Sequence, residues 1–346
     1  MKSRLIFIFA ALMLIMQACN MPGSGQPAET PVPPTSEPPP VEAPASQHQM
    51  IPISAPDAKP YPDVVSSETA PEKRAPYGDS YDLNRLERPF TQDMTYVPDL
   101  DITAFSISED GDWYYVSIGL VGKDPNNPLG IQYAVELDTN RDSFGDFLIL
   151  AGPPYAEEWT AANIKVYADT NRDTAGLSAS KSDAPFDGDG YDELIHDIAA
   201  GIGDDPDLAW VRINAGTYAT VQFAFKKSFA GSAFLYGVLA DGGLKDVTRL
   251  DYVDYFTEKE AGSSVRRNTN YPLKELYAVD NTCFQAFGFS PTGFEPKICP
   301  VIIIEAPTSE PGQPTPQGCQ LNDAICASQG AGYYFDPADC SCKYFG

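Results

Sequence analysis

Between residues 101 and 241 the chain repeats one pattern, a short run of β-branched and aromatic residues followed by a break of Asp, Asn, Gly or Pro. The runs are DITAFSIS (101–108), WYYVSIGLV (113–121), IQYAVELD (131–138), DFLIL (146–150), NIKVYAD (163–169), LAWVRIN (208–214), YATVQFAF (218–225) and AFLYGVLAD (233–241). Segments of this length and composition suit a pleated, half-buried surface. In WYYVSIGLV alternation puts Tyr114, Val116, Ile118 and Leu120 on one face, with Trp113, Tyr115 and Ser117 on the other. Helical periodicity is confined to YDELIHDIAAGI (191–202) and LKELYAV (273–279), both expected as helices. Strands without alternating long helices exclude a parallel α/β sheet. The expected fold is mainly β: an antiparallel, jelly-roll-like β-sandwich over residues 77–305.

The segments around this domain read differently. Lys2 and Arg4 precede an apolar run from Leu5 to Met16, too short to span a bilayer, and Ala18 then precedes Cys19. That order is a secretory signal. The tetrapeptide MQAC resembles the lipobox of bacterial lipoproteins, with Met16 where Leu is usual. The resemblance implies a signal peptide over 1–19, lipidation of Cys19 and export to the membrane or outer surface, which Asn20 permits. An ordinary cleaved signal with an odd thiol at Cys19 is the alternative. Residues 20–76 hold 15 prolines and are expected to form a disordered tether. A second proline-rich linker is expected over 306–317 and a cysteine-rich mini-domain over 318–346.

Seven cysteines less Cys19 leave six, as oxidising export allows. Cys283, Cys299, Cys319, Cys326, Cys340 and Cys342 permit 15 connectivities. Cys283 with Cys299, and two bonds among the last four, is the simplest set. A zinc site in the knot competes, but it lacks a C-x-x-C pair and a nearby histidine. The stretch from 277 to 299 is expected to be a disulfide-closed segment docked on the sandwich.

In DTNRDSFGD, Asp138, Asn140, Asp142 and Asp146 interrupt an apolar pattern at loop positions 1, 3, 5 and 9. Alternate oxygen-bearing residues of a tight loop suit a hard cation. The spacing matches the start of an EF-hand loop, but Ser143 replaces the usual glycine and Ile149 the closing glutamate. The pentapeptide DTNRD recurs at Asp169, Asn171 and Asp173, followed by DGDGYDE with Asp187, Asp189, Asp192 and Glu193. Residues 138–207 contain sixteen acidic side chains against four Lys or Arg, so a bound cation would relieve mutual repulsion. Structural calcium is the expected cofactor. The alternative is a set of solvated hairpin turns, which Asp, Asn and Gly also favour.

The string DLDITAFSISEDGDWYYVSIGLVG (99–122), with IQYAVELD after it, resembles the opening strands of family-nine-type carbohydrate-binding modules and related DOMON sandwiches. Shared are an apolar strand, an acidic turn leading into aromatic residues, an alternating strand, and a following strand ending in Asp. The resemblance implies a sandwich that binds sugar or another small ligand. Trp159, Trp113 and Tyr115 are the candidate platform residues, because sugar C–H faces stack on flat rings. Neither histidine, His48 or His196, has a nucleophile motif around it, and the S-x-x-K match at 178–181 has no supporting context. A net charge of −25 opposes nucleic acid as a partner. The expected function is that of a lipid-anchored, non-enzymatic envelope protein binding extracellular glycan. An envelope protein-interaction scaffold and a secreted hydrolase are the alternatives.

Overall fold

The computed structural model describes residues 48–76, 88–142, 144–174, 189–214, 217–248, 277–295, 297–300, 325–326, 333–336 and 341–344. Twelve of its strands build two antiparallel sheets. They are β1 (Tyr61–Pro62), β2 (Ile102–Glu109), β3 (Trp113–Leu120), β4 (Gln132–Asp138), β5 (Phe147–Ala151), β6 (Ile164–Ala168), β7 (Glu193–Asp197), β8 (Ala209–Asn214), β9 (Thr220–Lys226), β10 (Phe234–Asp241), β11 (Val279–Asn281) and β12 (Gln285–Phe287). One sheet has the order β1-β2-β3-β9-β8. The other runs β11-β10-β4-β5-β6-β7, with β12 also paired to β10. All eight apolar runs of the sequence are strands.

The sheets share one core, because alternation sends every second residue inward. Val116 and Ile118 of β3, Phe223 and Phe225 of β9, Val135 and Leu137 of β4, and Phe234 and Tyr236 of β10 meet there, fully buried or nearly so. Tyr114 packs edge-on against Phe234 at 5.1 Å and Phe287 at 5.0 Å. The outward faces are also covered. Trp113, Tyr115, Trp210, Ala161 and Ala224 form a second cluster outside one sheet. Ala134, Leu148, Leu150, Tyr191 and Leu239 form another outside the second.

Three expectations are corrected. YDELIHDIAAGI is not a helix: its first half is β7, paired to β6, and Ile198–Ala200 is a single 3₁₀ turn. Asp197 caps the start of that turn by accepting the Ala200 amide and Gly201, with φ of 69°, ends it, so sheet pairing overrides an apolar spacing that also fits a helix. The described end of LKELYAV, Tyr277–Val279, leads into β11 and is not helical. Nor is the tether disordered to residue 76. The compact unit begins at Ser46, Met50 and Ala55 lie against the outer aromatic cluster, and β1 pairs β2. Pro52, Pro56, Pro60 and Pro62 favour an extended backbone that lies along the sandwich. Pro62 occupies an edge strand, the sheet position at which a missing N–H is tolerated.

Segment 277–299 docks on the sandwich as expected. β11 and β12 occupy the free edge of β10, and a disulfide joins Cys283 to Cys299. Between them the Phe284 ring lies over Gly237, where an added Cβ would come within 2.3 Å of it. A further hairpin pairs β13 (Tyr333–Asp336) with β14 (Ser341–Tyr344). Cys326 and Cys342 are joined nearby. Cys319 and Cys340 lie outside the described residues, as does Cys19. Among the described residues no helix is long and apolar enough to cross a membrane.

Candidate functional site

Both DTNRD copies follow a strand end, β4 and β6, and fold into the same turn. The leading Asp accepts backbone amides ahead of it: Asp138 from Arg141 and Asp142, Asp169 from Asn171, Arg172, Asp173 and Thr174. Each fourth residue takes a left-handed backbone, with φ of 64° at Arg141 and at Arg172. The leading Asp satisfies amides that would otherwise need water.

The loops are fastened to each other. The Asp169 amide donates to the Asp146 carbonyl at 3.0 Å. Arg172 pairs with Asp142 and lies 4.3 Å over the Phe144 ring. Gly145 donates to Thr174 Oγ1 at 2.7 Å. Within the first loop Asp146 accepts from Thr139 (amide and hydroxyl) and from Asn140 (amide and side chain). In the second, Asp192 accepts the amide and hydroxyl of Thr170. Asp173 accepts the amides of Asp189 and Gly190, and Asn171 donates to Asp189.

Strand-end Asp turns are not special to these loops, since Asp241 accepts the amides of Gly243, Leu244 and Lys245 in the same manner. The crowding of carboxylates does set them apart. Burial pushes the Asp173 carboxyl above its ordinary value, against the pull of the Asp189 and Gly190 amides, with the Asp169 charge and a side-chain hydrogen bond to Asp189 adding smaller upward pushes. A raised carboxyl means the fold binds its proton more tightly than the unfolded chain does. Asp173 therefore costs stability as pH rises through its folded value.

Beside the loops lies a buried acid that the sequence reading missed. Glu136 is 2 % exposed on the outward face of β4 and accepts a hydrogen bond from Tyr191. Burial raises its carboxyl, Lys297 and the Tyr191 hydroxyl oppose that, and Asp169 adds to it. The available signal was its position: an acid inside the otherwise apolar run 133–137.

Of the other metal candidates, Glu193 opens β7 opposite Ala168 and is exposed. Asp187 lies outside the described residues. Among the described residues no group of three or more His, Cys, Asp or Glu side chains is gathered as a metal would require.

The aromatic candidates are together but not open. Trp113 and Tyr115 are 4 % and 1 % exposed, which corrects their reading as presented platform rings. Trp159 stands at their margin, 6.1 Å from Tyr115, with Arg212 4.6 Å over its ring. Trp210, also buried, completes the group. His48 and Asp207 cover this face, and the reading of His48 as part of a spacer missed that contact. His196 is buried on β7 with neither ring nitrogen partnered among the described residues. Comparison with protein-family models, with curated proteins and with solved structures finds no match for this chain, so its function is argued from these residues.

Proposed function

We propose that the chain is an exported, lipid-anchored, non-catalytic binding protein of the cell envelope, with calcium held in the twin acidic loops and carbohydrate taken on the aromatic face. One observation carries the reading: two copies of DTNRD adopt the same turn and are tied together, with Asp173 close to Asp169 and Asp189 in the second. Asp138, Asn140, Asp142 and Asp146 supply oxygen donors from one loop. Asp169, Asn171, Asp173, Asp189, Asp192 and Glu193 supply them from the other. These are the hard ligands calcium takes, and a divalent charge would offset the repulsion. Its role is structural, because it would clamp the end of the β4–β7 meander.

The carbohydrate part rests on the aromatic group of Trp113, Tyr115, Trp159 and Trp210 on one sheet face, and on the resemblance of the opening strands. The lipid anchor rests on MQAC. A second reading, docking to another envelope protein, is favoured by Phe294. That side chain is 92 % exposed within the segment closed by Cys283 and Cys299.

Thermal unfolding with calcium and with a chelator tests the metal. At calcium 100-fold above its dissociation constant the gain is about 2.7 kcal/mol, or roughly 5–10 °C for a domain of this size. Identical melting curves in both conditions would end the calcium reading. A glycan array tests the ligand, with hits expected to vanish in Trp159→Ala.

A further inference from the structure

Residues His48–Ala55 cross the outer aromatic face as an extended segment without strand pairing of its own. It is held at a few points. His48 Nδ1 lies 2.8 Å from Asp207 Oδ1, and its ring is 4.6 Å from that of Trp210. The amides of Gln49 and Met50 donate to Asp207 Oδ2 at 2.8 and 2.9 Å. The Trp159 indole donates to the Ile53 carbonyl at 3.0 Å. Met50 and Ala55 touch the cluster of Trp113, Tyr115 and Trp210.

We propose that His48–Ala55 is a releasable strap, an intramolecular occupant of the aromatic face that must lift before a ligand can bind there. The naming of sugar as the displacing ligand rests on the preceding reading; the strap itself does not. Three observations support release over permanent packing. The segment turns Ile51 and Ile53 outward, 58 % and 84 % exposed, so both isoleucines are left off the face that Met50 and Pro52 help to cover. The buried Trp210 indole N–H has no acceptor among the described residues, so the covered state leaves a donor unmet that a hydroxyl or carbonyl of an incoming ligand could satisfy. Finally, the contacts of His48, Gln49 and Met50 converge on one carboxylate, Asp207, with Ile53 held apart from them by Trp159 and Tyr115, and no ladder of backbone bonds runs along the segment among the described residues.

Hydrogen exchange on the full chain tests the strap directly. Amides of Gln49, Met50, Ile51 and Ile53 are expected to exchange on the order of 100-fold faster than those of β3, since local opening needs far less than global unfolding. Asp207→Asn should speed them about tenfold more and leave β3 unchanged. Equal protection in the two segments, or loss of β3 protection together with the strap in Asp207→Asn, would overturn the proposal.

A variant lacking residues 46–55 supplies the second arm. It should fold, bind the synthetic peptide HQMIPISA saturably with a change in tryptophan emission, and lose that binding on Trp159→Ala. The intact chain should show little binding. A truncated variant that fails to fold, or that ignores the peptide, makes the segment an ordinary part of the sandwich and defeats the idea. On a glycan array, stronger signals from the truncated variant support strap and sugar together. Peptide binding without any glycan signal keeps the strap and removes the sugar. Equal glycan signals from both chains keep the sugar and remove the strap.

Discussion

The two acidic loops begin with the same five residues and the same backbone, yet they are closed by different means. The first shuts on itself: Asp146, eight residues after Asp138, collects four hydrogen bonds from Thr139 and Asn140 within one hairpin. The second is shut by residues from further along the chain, as Asp192 holds Thr170 and Asp173 holds the amides of Asp189 and Gly190. Burial follows the same division, since Asp138 is fully buried and Asp169 is only half-buried. Local sequence thus sets the turn, through an Asp that satisfies the next amides and an Arg that accepts positive φ. The partner that closes the turn is set by the sheet.

The largest expected effect breaks the first loop at Gly145. A Cβ there would lie 1.9 Å from Tyr191 Oη and 2.6 Å from Glu136 Oε1, and both are buried. Gly145→Ala should therefore cost more than about 3 kcal/mol, read as a lower midpoint in urea unfolding; a loss under 1 kcal/mol would show that the Glu136–Tyr191 pair yields freely. Next, Asp146→Ala should cost about 2 kcal/mol. Asp192→Ala, at an exposed carboxylate held by Thr170, should cost under about 1 kcal/mol. Equal losses would mean that the second loop depends on its closure as much as the first. The smallest effect separates the two arginines. Replacing either by glycine relieves a left-handed backbone, but glycine's own chain entropy offsets much of that gain. Arg172→Gly also gives up the exposed pair with Asp142 and the Phe144 ring, and Arg141→Gly only the Phe289 ring at 5.0 Å. Arg172→Gly should thus be the less stable of the two by roughly 0.5 kcal/mol, a difference that matched unfolding curves resolve.

The strands were legible because alternation is a direct record of which face is buried. In β3, Tyr114, Val116, Ile118 and Leu120 all point into the main core, as the spacing required. The turn residues were legible too, since Asp and Asn at strand ends carry their own hydrogen-bonding partners. Faces were harder. Trp113 and Tyr115 were correctly placed opposite the core, but nothing in their own strand shows that residues 48–55, about sixty positions earlier, lie over them. The proline content that suggested a free tether describes backbone stiffness, and a stiff extended segment can lie on a surface as readily as it can leave one. YDELIHDIAAGI misled for a related reason. Tyr191, Leu194, Ile195 and Ile198 have helical spacing, yet β6 offered an open edge that claimed the segment from Glu193 to Asp197. Glu136 stood out only as an acid within an apolar run, and its pairing was not legible because Tyr191 comes from 55 residues away.

The cover over β10 has a consequence for how copies of this molecule coexist. A bare lateral row of amides and carbonyls on a long apolar strand invites another chain to anneal along it. Here β11 and β12 fill that row, and the Cys283–Cys299 bond ties the connection between them to the chain that follows β12. Oxidative maturation therefore does more than shorten the accessible ensemble of one chain: it seals the seam through which densely gathered neighbours could otherwise polymerise.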